Sequence, residues 1–322
     1  MSSHRLVLAS VFCLACCLGT PGLGFAEVLY WSDLGPDTIK RANRDGSGID
    51  LIYTSPTIDP SSEGVQGLAI DAVNKKVYWS ESYDIQNTSA ILRANLDGSN
   101  LETIIVVDFR PTHASLIQAV AVDPVGGHIY WTDNTDFAHD GFINRANLDG
   151  SDPVTLGVDF KPTDLELDLL HGKLYYIDTE ADEIIRMNLD GSSPQVVLTG
   201  TFDVRGLALD SENDFLYFSD NGAGVAQIKR ASLDGTGVTP VITTGLNDVR
   251  GMVVDPQYDK LYWVDLGDNV IQRANLDGSH IENVVTAGLT LPNNITLLPE
   301  PTSIGLLLMG AVAVLLGHRT LR

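Results

Sequence analysis

Cysteine is nearly absent from the chain, and the little there is lies at the N-terminus. The three cysteines are Cys13, Cys16 and Cys17. If this region is removed during export, the remaining chain has no cysteine. Neither a disulfide bond nor a thiolate nucleophile can then contribute to the mature protein.

The N-terminal region has the parts of a secretory signal peptide. Arg5 precedes an apolar run at residues 6–18, and Gly24-Phe25-Ala26 offers a small-x-small cleavage site. We therefore predict a signal peptide at residues 1–26. A lipid anchor on Cys16 or Cys17 is the alternative.

Basic residues are also scarce, with 20 Lys and Arg against 42 Asp and Glu. Nucleic-acid binding requires a basic face that neutralises phosphates, so we predict no nucleic-acid partner. A cation, a basic protein or a neutral polymer fits the acidic balance better, although acidic surfaces also serve solubility.

Long hydrophobic runs are confined to the two ends of the chain, and the C-terminal one covers residues 304–317. The run follows Pro299-Glu300-Pro301 and precedes a basic end with Arg319 and Arg322. This arrangement resembles the PEP-CTERM sorting signal, which implies processing by an exosortase-type membrane protease in a bacterium that exports polysaccharide. A simple membrane anchor is the alternative. Either interpretation of residues 299–322 exports the domain.

Between these two ends the chain repeats six times. The first signature is a tyrosine, an aromatic residue, a variable residue and an acid, and the copies begin at Tyr30, Tyr78, Tyr130, Tyr175, Tyr217 and Tyr262. They recur at intervals of roughly 42 to 52 residues, a period typical of propeller blades. An Asp-Gly pair follows each copy, at Asp45, Asp97, Asp149, Asp190, Asp234 and Asp277. Asp-Gly between strands indicates a hairpin, for which we predict type I′ turns.

An apolar strand ending in Asp precedes the tyrosine from the second copy onward, at residues 67–71, 119–123, 164–168, 206–210 and 251–255. The first copy lacks this strand, and residues 293–297 supply it from the far end. Four short strands per copy predict an all-β, six-bladed propeller over residues 27–298, closed by a C-terminal inner strand that completes the first blade.

These motifs resemble the class B (YWTD) repeats of the low-density lipoprotein receptor family, whose six copies form a six-bladed propeller. The resemblance implies the fold. It does not carry receptor biology with it, because the chain has neither cysteine-rich modules nor an endocytic tail. Tyr176 and Phe218 also replace the tryptophan of the motif in the fourth and fifth copies.

Residues that recur in every copy are predicted to be structural. The aromatic residues could form a carbohydrate platform, but identical positions in all blades favour filling of the layers between blades. The recurring acids and arginines are expected to make blade-to-blade pairs or to satisfy turns. They are Asp33, Glu81, Asp133, Asp178, Asp220 and Asp265, and Arg41, Arg93, Arg145, Arg186, Arg230 and Arg273.

No cofactor is predicted, and calcium is the one ion considered. A lone Asp-Gly turn offers too few oxygens for its six to eight ligands. The better candidates are two acidic loops, Asp133-Asn134-Thr135-Asp136 with Asp140, and Asp265 with Asp268. Solvated acidic loops explain them more simply, and the same holds for His139 beside Asp136 and Asp140.

Function in a propeller is expected where the blades differ, at one mouth of the central channel. One position, five residues before the terminal Asp of each inner strand, is polar in every blade but variable. It holds Gln66, Gln118, Thr163, Arg205, Arg250 and Asn293, which we call the mouth ring. Two forked guanidiniums in adjacent blades could clamp a carboxylate or an acidic sugar. Alternatively, Arg205 and Arg250 simply pair with Asp203 and Asp248.

We therefore predict an exported, non-catalytic binding or scaffold protein that engages a protein or an exopolysaccharide on one propeller face. The alternative is a hydrolase or lactonase with a channel metal. Such an enzyme needs acids in the channel, and Asp164 and Glu166 are the nearest ones. The chain has neither a Gly-x-Ser-x-Gly elbow nor a His-Glu-x-x-His motif.

Overall fold

The computed structural model describes residues 28–56, 64–83, 88–108, 115–135, 141–159, 161–200 and 203–299. The predicted signal peptide lies outside the described residues. So do Glu300 and Pro301 with the rest of the tail, and the cluster of Asp136, His139 and Asp140.

Six antiparallel sheets form the blades, and in each sheet the strands follow one another from the axis outward. Blade 1 contains β25 (Pro292–Leu298), β1 (Val28–Asp33), β2 (Thr38–Asn43) and β3 (Asp50–Thr54). Blade 2 contains β4 (Gly64–Asp71), β5 (Lys76–Tyr83), β6 (Thr88–Asn95) and β7 (Glu102–Asp108). Blade 3 contains β8 (Ser115–Leu116) and β9 (Val120–Asp123), then β10 (His128–Thr135), β11 (Gly141–Asn147) and β12 (Val154–Asp159). Its inner strand is therefore in two pieces, and both pair with β10.

The remaining blades repeat the four-strand order. Blade 4 contains β13 (Pro162–Asp168), β14 (Lys173–Asp178), β15 (Glu183–Asn188) and β16 (Gln195–Thr199). Blade 5 contains β17 (Leu207–Asp210), β18 (Phe215–Asp220), β19 (Gln227–Ser232) and β20 (Thr239–Ile242). Blade 6 contains β21 (Val249–Asp255), β22 (Lys260–Asp265), β23 (Val270–Asn275) and β24 (Glu282–Val285). Within the described residues, short 3₁₀ helices lie at Gly222–Gly224 and Pro256–Tyr258.

The ring closes as predicted, because the last strand completes the first blade. β25 pairs antiparallel with β1 from Val28 opposite Leu298 to Asp33 opposite Pro292. It also contacts β21 of blade 6 and β4 of blade 2. The two ends of the propeller are thus held in one sheet, and the six-bladed fold is confirmed.

Apolar side chains fill the layers between neighbouring blades. Tyr30 of blade 1, for example, packs with Val65 and Trp79 of blade 2. The six motif tyrosines are at most 1% exposed. Fully burying one large apolar side chain contributes about 3 kcal/mol to stability, so these layers supply much of the cohesion.

Most of the motif tyrosines and arginines also reach the next blade through hydrogen bonds. The Tyr175 hydroxyl and the Arg186 guanidinium both donate to the carbonyl of Leu233, at 3.0 Å each. Tyr30 and Arg41 do the same at Leu96, and Tyr130 and Arg145 at Leu189. We call this arrangement the blade clasp. Its acceptor belongs to the Leu-Asp-Gly turn, which explains why that turn and the Tyr–Arg pair recur together.

In blades 1, 4 and 6 the motif acid holds the chain segment that leads into the inner strand. The Asp33 carboxylate accepts hydrogen bonds from the backbone N–H groups of Thr290 and Leu291. The Asp265 carboxylate similarly accepts from Asn247 and Asp248. The predicted structural role of the recurring polar residues thus matches their contacts.

The Asp-Gly hairpins form, but the predicted turn type is wrong. In the first hairpin, Gly46 has a positive φ of 80° and Asp45 is not in that region. The Gly46 N–H donates to the carbonyl of Asn43, and the Asn43 N–H donates to the carbonyl of Ser47. This is a type I turn followed by a left-handed glycine bulge. A Cβ on Gly46 would lie 1.8 Å from the carbonyl oxygen of Val284 in blade 6, so neighbouring backbone also requires glycine.

Candidate functional site: the mouth and the central channel

The inner strands β25, β4, β9, β13, β17 and β21 surround the central channel, each contacting the next around the ring. The mouth ring lies where these strands begin. The same end of the propeller carries the connections between blades and the turns between second and third strands, and we call it the mouth face. The mouth face is therefore where residues that differ between blades meet.

An irregularity in strand pairing lies at the mouth-ring residues. Pairing between the inner and second strands shifts register between Val65 and Leu68 in blade 2, and comparable shifts occur in blades 1, 4 and 6. In blade 2 the Ser80 hydroxyl accepts a hydrogen bond from the Gly67 N–H at 2.9 Å. Equivalent bonds use Ser32, Thr132 and Ser219, which explains the Ser or Thr at the third position of the motif.

Blade 4 has no such hydroxyl, because Ile177 occupies the position. The Asp164 carboxylate there accepts hydrogen bonds from the backbone N–H groups of Leu165, at 3.0 Å, and Leu207, at 2.9 Å. Leu207 belongs to blade 5. Asp164 therefore joins two inner strands across the blade 4–5 junction.

On one side of the mouth ring the residues are amides that support blade packing. The Asn293 amide donates to the side-chain oxygen of Gln66 at 2.9 Å and links blade 1 to blade 2. The Asn134 amide donates to the side-chain oxygen of Gln118 at 2.6 Å within blade 3. Gln66 itself is buried. Thr163, in blade 4, has a buried hydroxyl without a hydrogen-bond partner in the described part of the chain.

On the other side, two arginines each pair with the aspartate two residues earlier. Arg205 donates to both carboxylate oxygens of Asp203, at 2.7 and 3.2 Å. Arg250 donates to both oxygens of Asp248, at 3.1 Å each. The hydrogen bond to Asp203 and the negative charges of Asp203 and Asp248 raise the pKa of Arg205 above its ordinary value. The two pairs thus present alternating charges on the mouth face, with 37% of the Arg205 side chain exposed.

Below the mouth ring lies a cavity of about 80 Å³ lined by inner strands. Asp164 and Glu166, the acids that the sequence places nearest the channel, both line it. Burial raises the pKa of Asp164 to about 6, although its two backbone hydrogen bonds oppose this. Burial, and then the charge of Asp164, raise the pKa of Glu166 well above its ordinary value.

The acidic loop in blade 6 does not present open ligands. The Asp265 carboxylate accepts backbone hydrogen bonds, including one from Asp268, and the Asp268 carboxylate accepts from the Asn247 amide at 3.2 Å. In the part of the chain that the structure describes, no three His, Cys, Asp or Glu side chains group to hold a metal. The other acidic loop lies partly outside that region.

The sequence reasoning missed two residues in the channel wall opposite Asp164 and Glu166. They are Asn294 and Thr296 of β25, which line the same cavity. The inner-strand alignment that identified the mouth ring would also have found them. One and three residues after the ring position, four blades have small or apolar residues, and only blades 1 and 4 have polar ones.

Comparison with known proteins supports the repeat assignment. Residues 259–299 match the low-density lipoprotein receptor repeat class B family, which confirms the resemblance in the sixth copy. The low-density lipoprotein receptor-related protein 5 of Mus musculus is 34% identical over 37% of the chain. The related 5-like protein of Homo sapiens is 31% identical over 53% of the chain. The matches span 8% and 62% of these relatives, so the chain corresponds to only part of each.

Solved structures of other proteins have the same fold. A chain from the nidogen/laminin complex has a TM-score of 0.69 at 24% identity, with 84% of this chain and 98% of that chain covered. TolB from Acinetobacter baumannii has a TM-score of 0.67 at 13% identity, with 85% and 67% covered. At these identities the likeness concerns the fold alone. Over the described residues, no helix has the length and apolar character needed to span a membrane.

Proposed function

We propose that this chain is an exported, non-catalytic binding protein that engages a protein ligand through the mouth face. One observation carries the proposal. The polar residues common to all blades are used in blade junctions, whereas the mouth-ring residues differ from blade to blade, and two of them are partly exposed arginines. Variable polar residues on a rigid frame are what selective recognition requires.

The relatives favour a protein as the ligand. Two of them are low-density lipoprotein receptor-related proteins, and a chain of the same fold belongs to the nidogen/laminin complex. We therefore propose that this chain also binds a protein partner, on its mouth face.

The paired arginines supply the recognition chemistry. A ligand carboxylate that displaces Asp203 from Arg205 would keep a two-point hydrogen bond, while the released aspartate could accept from a ligand amine or amide. The ligand we propose therefore carries both acidic and hydrogen-bond-donating groups at close spacing. An exopolysaccharide with acidic sugars offers similar groups and is the second candidate partner.

Export through the residue 1–26 signal and exosortase-type processing of the tail at residues 299–322 belong to the same proposal. They place the propeller at the cell surface or outside the cell. Mass spectrometry of the protein from the exporting host is the test, and we expect a mature chain that starts near residue 27 and lacks the apolar tail. An intact N-terminus on the mature protein would contradict export by this route.

A hydrolase or lactonase with a channel metal is the competing function, because Asp164 and Glu166 do line the channel. One feature disfavours it. The cavity of about 80 Å³ is too small for a lactone substrate, because ligand pockets ordinarily span about 300 Å³ or more. Assays of the purified protein with a lactone panel and added divalent metals would reveal such an enzyme by turnover that Glu166→Gln abolishes.

The binding proposal is tested with a displayed peptide library, followed by affinity measurement for the selected peptides. We expect the combined Arg205→Ala and Arg250→Ala substitutions to weaken binding at least tenfold, or about 1.4 kcal/mol. Lys75→Ala is the matched control, because Lys75 is an exposed cation in a turn at the opposite end of blade 2. Equal losses in both variants would point to a non-specific charge effect and would contradict a mouth-face site.

A further inference from the structure

At two positions of the inner strands, four blades have small or apolar residues and the other two blades have polar ones. One residue after the mouth-ring position stand Gly67, Ala119, Gly206 and Gly251 in blades 2, 3, 5 and 6. A Cβ on Gly206 would lie 2.0 Å from the carbonyl oxygen of Arg250, and one on Gly251 would lie 2.7 Å from the Cα of Asn294. Neighbouring inner strands therefore approach too closely for side chains at most of these positions.

Blades 4 and 1 carry Asp164 and Asn294 at this position instead. Two residues further on, blades 2, 3, 5 and 6 have the apolar residues Ala69, Ala121, Ala208 and Val253. Blades 4 and 1 again differ, with Glu166 and Thr296. The first and fourth blades of a six-bladed ring are opposite each other, so two polar pairs face across the axis.

All four of these polar residues line the 80 Å³ cavity. Together they offer two carboxyl groups, an amide oxygen and a hydroxyl. The liquid volume per water molecule is about 30 Å³, so a cavity of this size has room for one ion and a few waters.

Glu166 is the group in the cavity that most needs a counter-charge. It has no hydrogen bond or ion pair with any residue in the described ranges, and its nearest charged neighbour is another acid, Asp164. Glu166 is only partly buried, and a carboxylate that lines a channel without a partner ordinarily attracts a cation or a proton. The net charge of −22 adds a general attraction for cations.

We propose that the central channel binds one calcium ion between Asp164 and Glu166 on one side and Asn294 and Thr296 on the other, with water completing its coordination. Calcium fits this set because it takes six to eight oxygen ligands of mixed type in flexible geometry, whereas magnesium demands a near-ideal octahedron. Two carboxylates balance its charge. The site is structural, since it ties blade 4 to blade 1 across the axis.

The test is thermal unfolding and isothermal titration of the folded propeller in chelator, then with calcium, magnesium or potassium. At a calcium concentration about 100 times the dissociation constant, the folded state gains about 100-fold over the unfolded state. We expect roughly one calcium ion per chain, with weaker effects of magnesium and potassium. No calcium-dependent rise in the unfolding midpoint, or an equal rise with potassium, would overturn the proposal.

Variants locate the site. Glu166→Gln should abolish the calcium effect and should fold well, because glutamine has nearly the shape of glutamate and carries no charge that needs a partner in chelator. Thr296→Val should weaken calcium binding with little change of shape. Glu212→Gln, in an exposed turn after β17, is the matched control. A calcium response that Glu166→Gln leaves unchanged would place the ion elsewhere.

This site is separate from the proposed ligand site. The combined Arg205→Ala and Arg250→Ala variant should keep the full calcium effect, so the failure of either proposal can be recognised without the other.

Discussion

The blade junctions and the inner strands of this propeller follow opposite rules. At the junctions the same tyrosine and arginine recur, and they make the same clasp at Leu96, Leu189 and Leu233. At the mouth-ring position of the inner strands, by contrast, the blades hold different residues with different partners. A residue that packs against the same neighbour in every blade has to be of the same type each time. A residue that faces the axis meets a different neighbour in each blade, so its type can vary.

The closing junction between blades 6 and 1 departs from the other five. Arg44 replaces the leucine of the turn, and its carbonyl still accepts from Arg273 at 3.1 Å. Its guanidinium pairs with the buried Asp255 and lies 3.5 Å from the centre of the Tyr258 ring. Closure of the ring thus keeps the arginine contact of the clasp and adds an ion pair and a cation–π contact.

The largest effect is expected from removing a repeated aromatic residue. Tyr217 is 1% exposed and donates to the carbonyl of Leu276 at 3.2 Å. Tyr217→Ala should lower the free energy of unfolding by about 3 to 5 kcal/mol through loss of packing. Tyr217→Phe should cost only about 1 kcal/mol, because it removes the hydrogen bond alone. Urea unfolding measures both, and equal losses would mean that the hydrogen bond rather than the packing holds the junction.

Arg44 tests whether the closing junction depends on its added contacts. Arg44→Leu restores the residue of the other copies but leaves the Asp255 carboxylate, 5% exposed, without its cation. We expect a loss of about 3 kcal/mol. Adding Asp255→Asn should recover much of it. If Arg44→Leu alone leaves the midpoint of thermal unfolding unchanged, the junction between blades 6 and 1 does not depend on the added ion pair and cation–π contact.

Acidification should stabilise the fold through the channel acid Asp164, because protonation removes the free-energy cost of burying its charge. Its folded pKa of about 6 lies above the ordinary aspartate value of 3.8, so its contribution to stability is full below pH 4 and is lost as the pH rises through 6. In chelator, which keeps the proposed calcium ion out of the channel, the wild type should gain on the order of 2 to 3 kcal/mol in unfolding free energy relative to Asp164→Asn between pH 7 and pH 4. A constant difference across that range would contradict the raised pKa.

Close approach of inner strands predicts a smaller effect at Gly206. Gly206→Ala places a methyl against the carbonyl of Arg250 and should cost about 1 to 3 kcal/mol. Gly157→Ala is the control, because the nearest atom to its Cβ is the Met187 sulfur at 3.9 Å. Similar costs at both glycines in chemical denaturation would show that backbone entropy, rather than contact between blades, sets the requirement.

The sequence was sufficient for the fold because the repeat is a local pattern. Tyrosine motif, Asp-Gly turn and apolar strand each specify one strand or hairpin, and the missing first strand pointed to closure by residues 293–297. The turn type was missed because the Asp45 carboxylate accepts from the N–H and hydroxyl of Ser47, which favours a type I turn over I′. The role of Asn294 and Thr296 in the channel wall was missed because it depends on which blade lies opposite them across the axis.

The separation of stability from recognition is the central claim, and one paired measurement tests it most directly. Unfolding free energy and affinity for a selected ligand are measured for Tyr217→Phe and for the combined Arg205→Ala and Arg250→Ala variant. We expect Tyr217→Phe to lower stability by about 1 kcal/mol with unchanged affinity. The arginine variant should lose at least tenfold in affinity with less than about 1 kcal/mol change in stability. An arginine variant that binds normally, or a Tyr217→Phe variant that loses the ligand while folded, would contradict this separation.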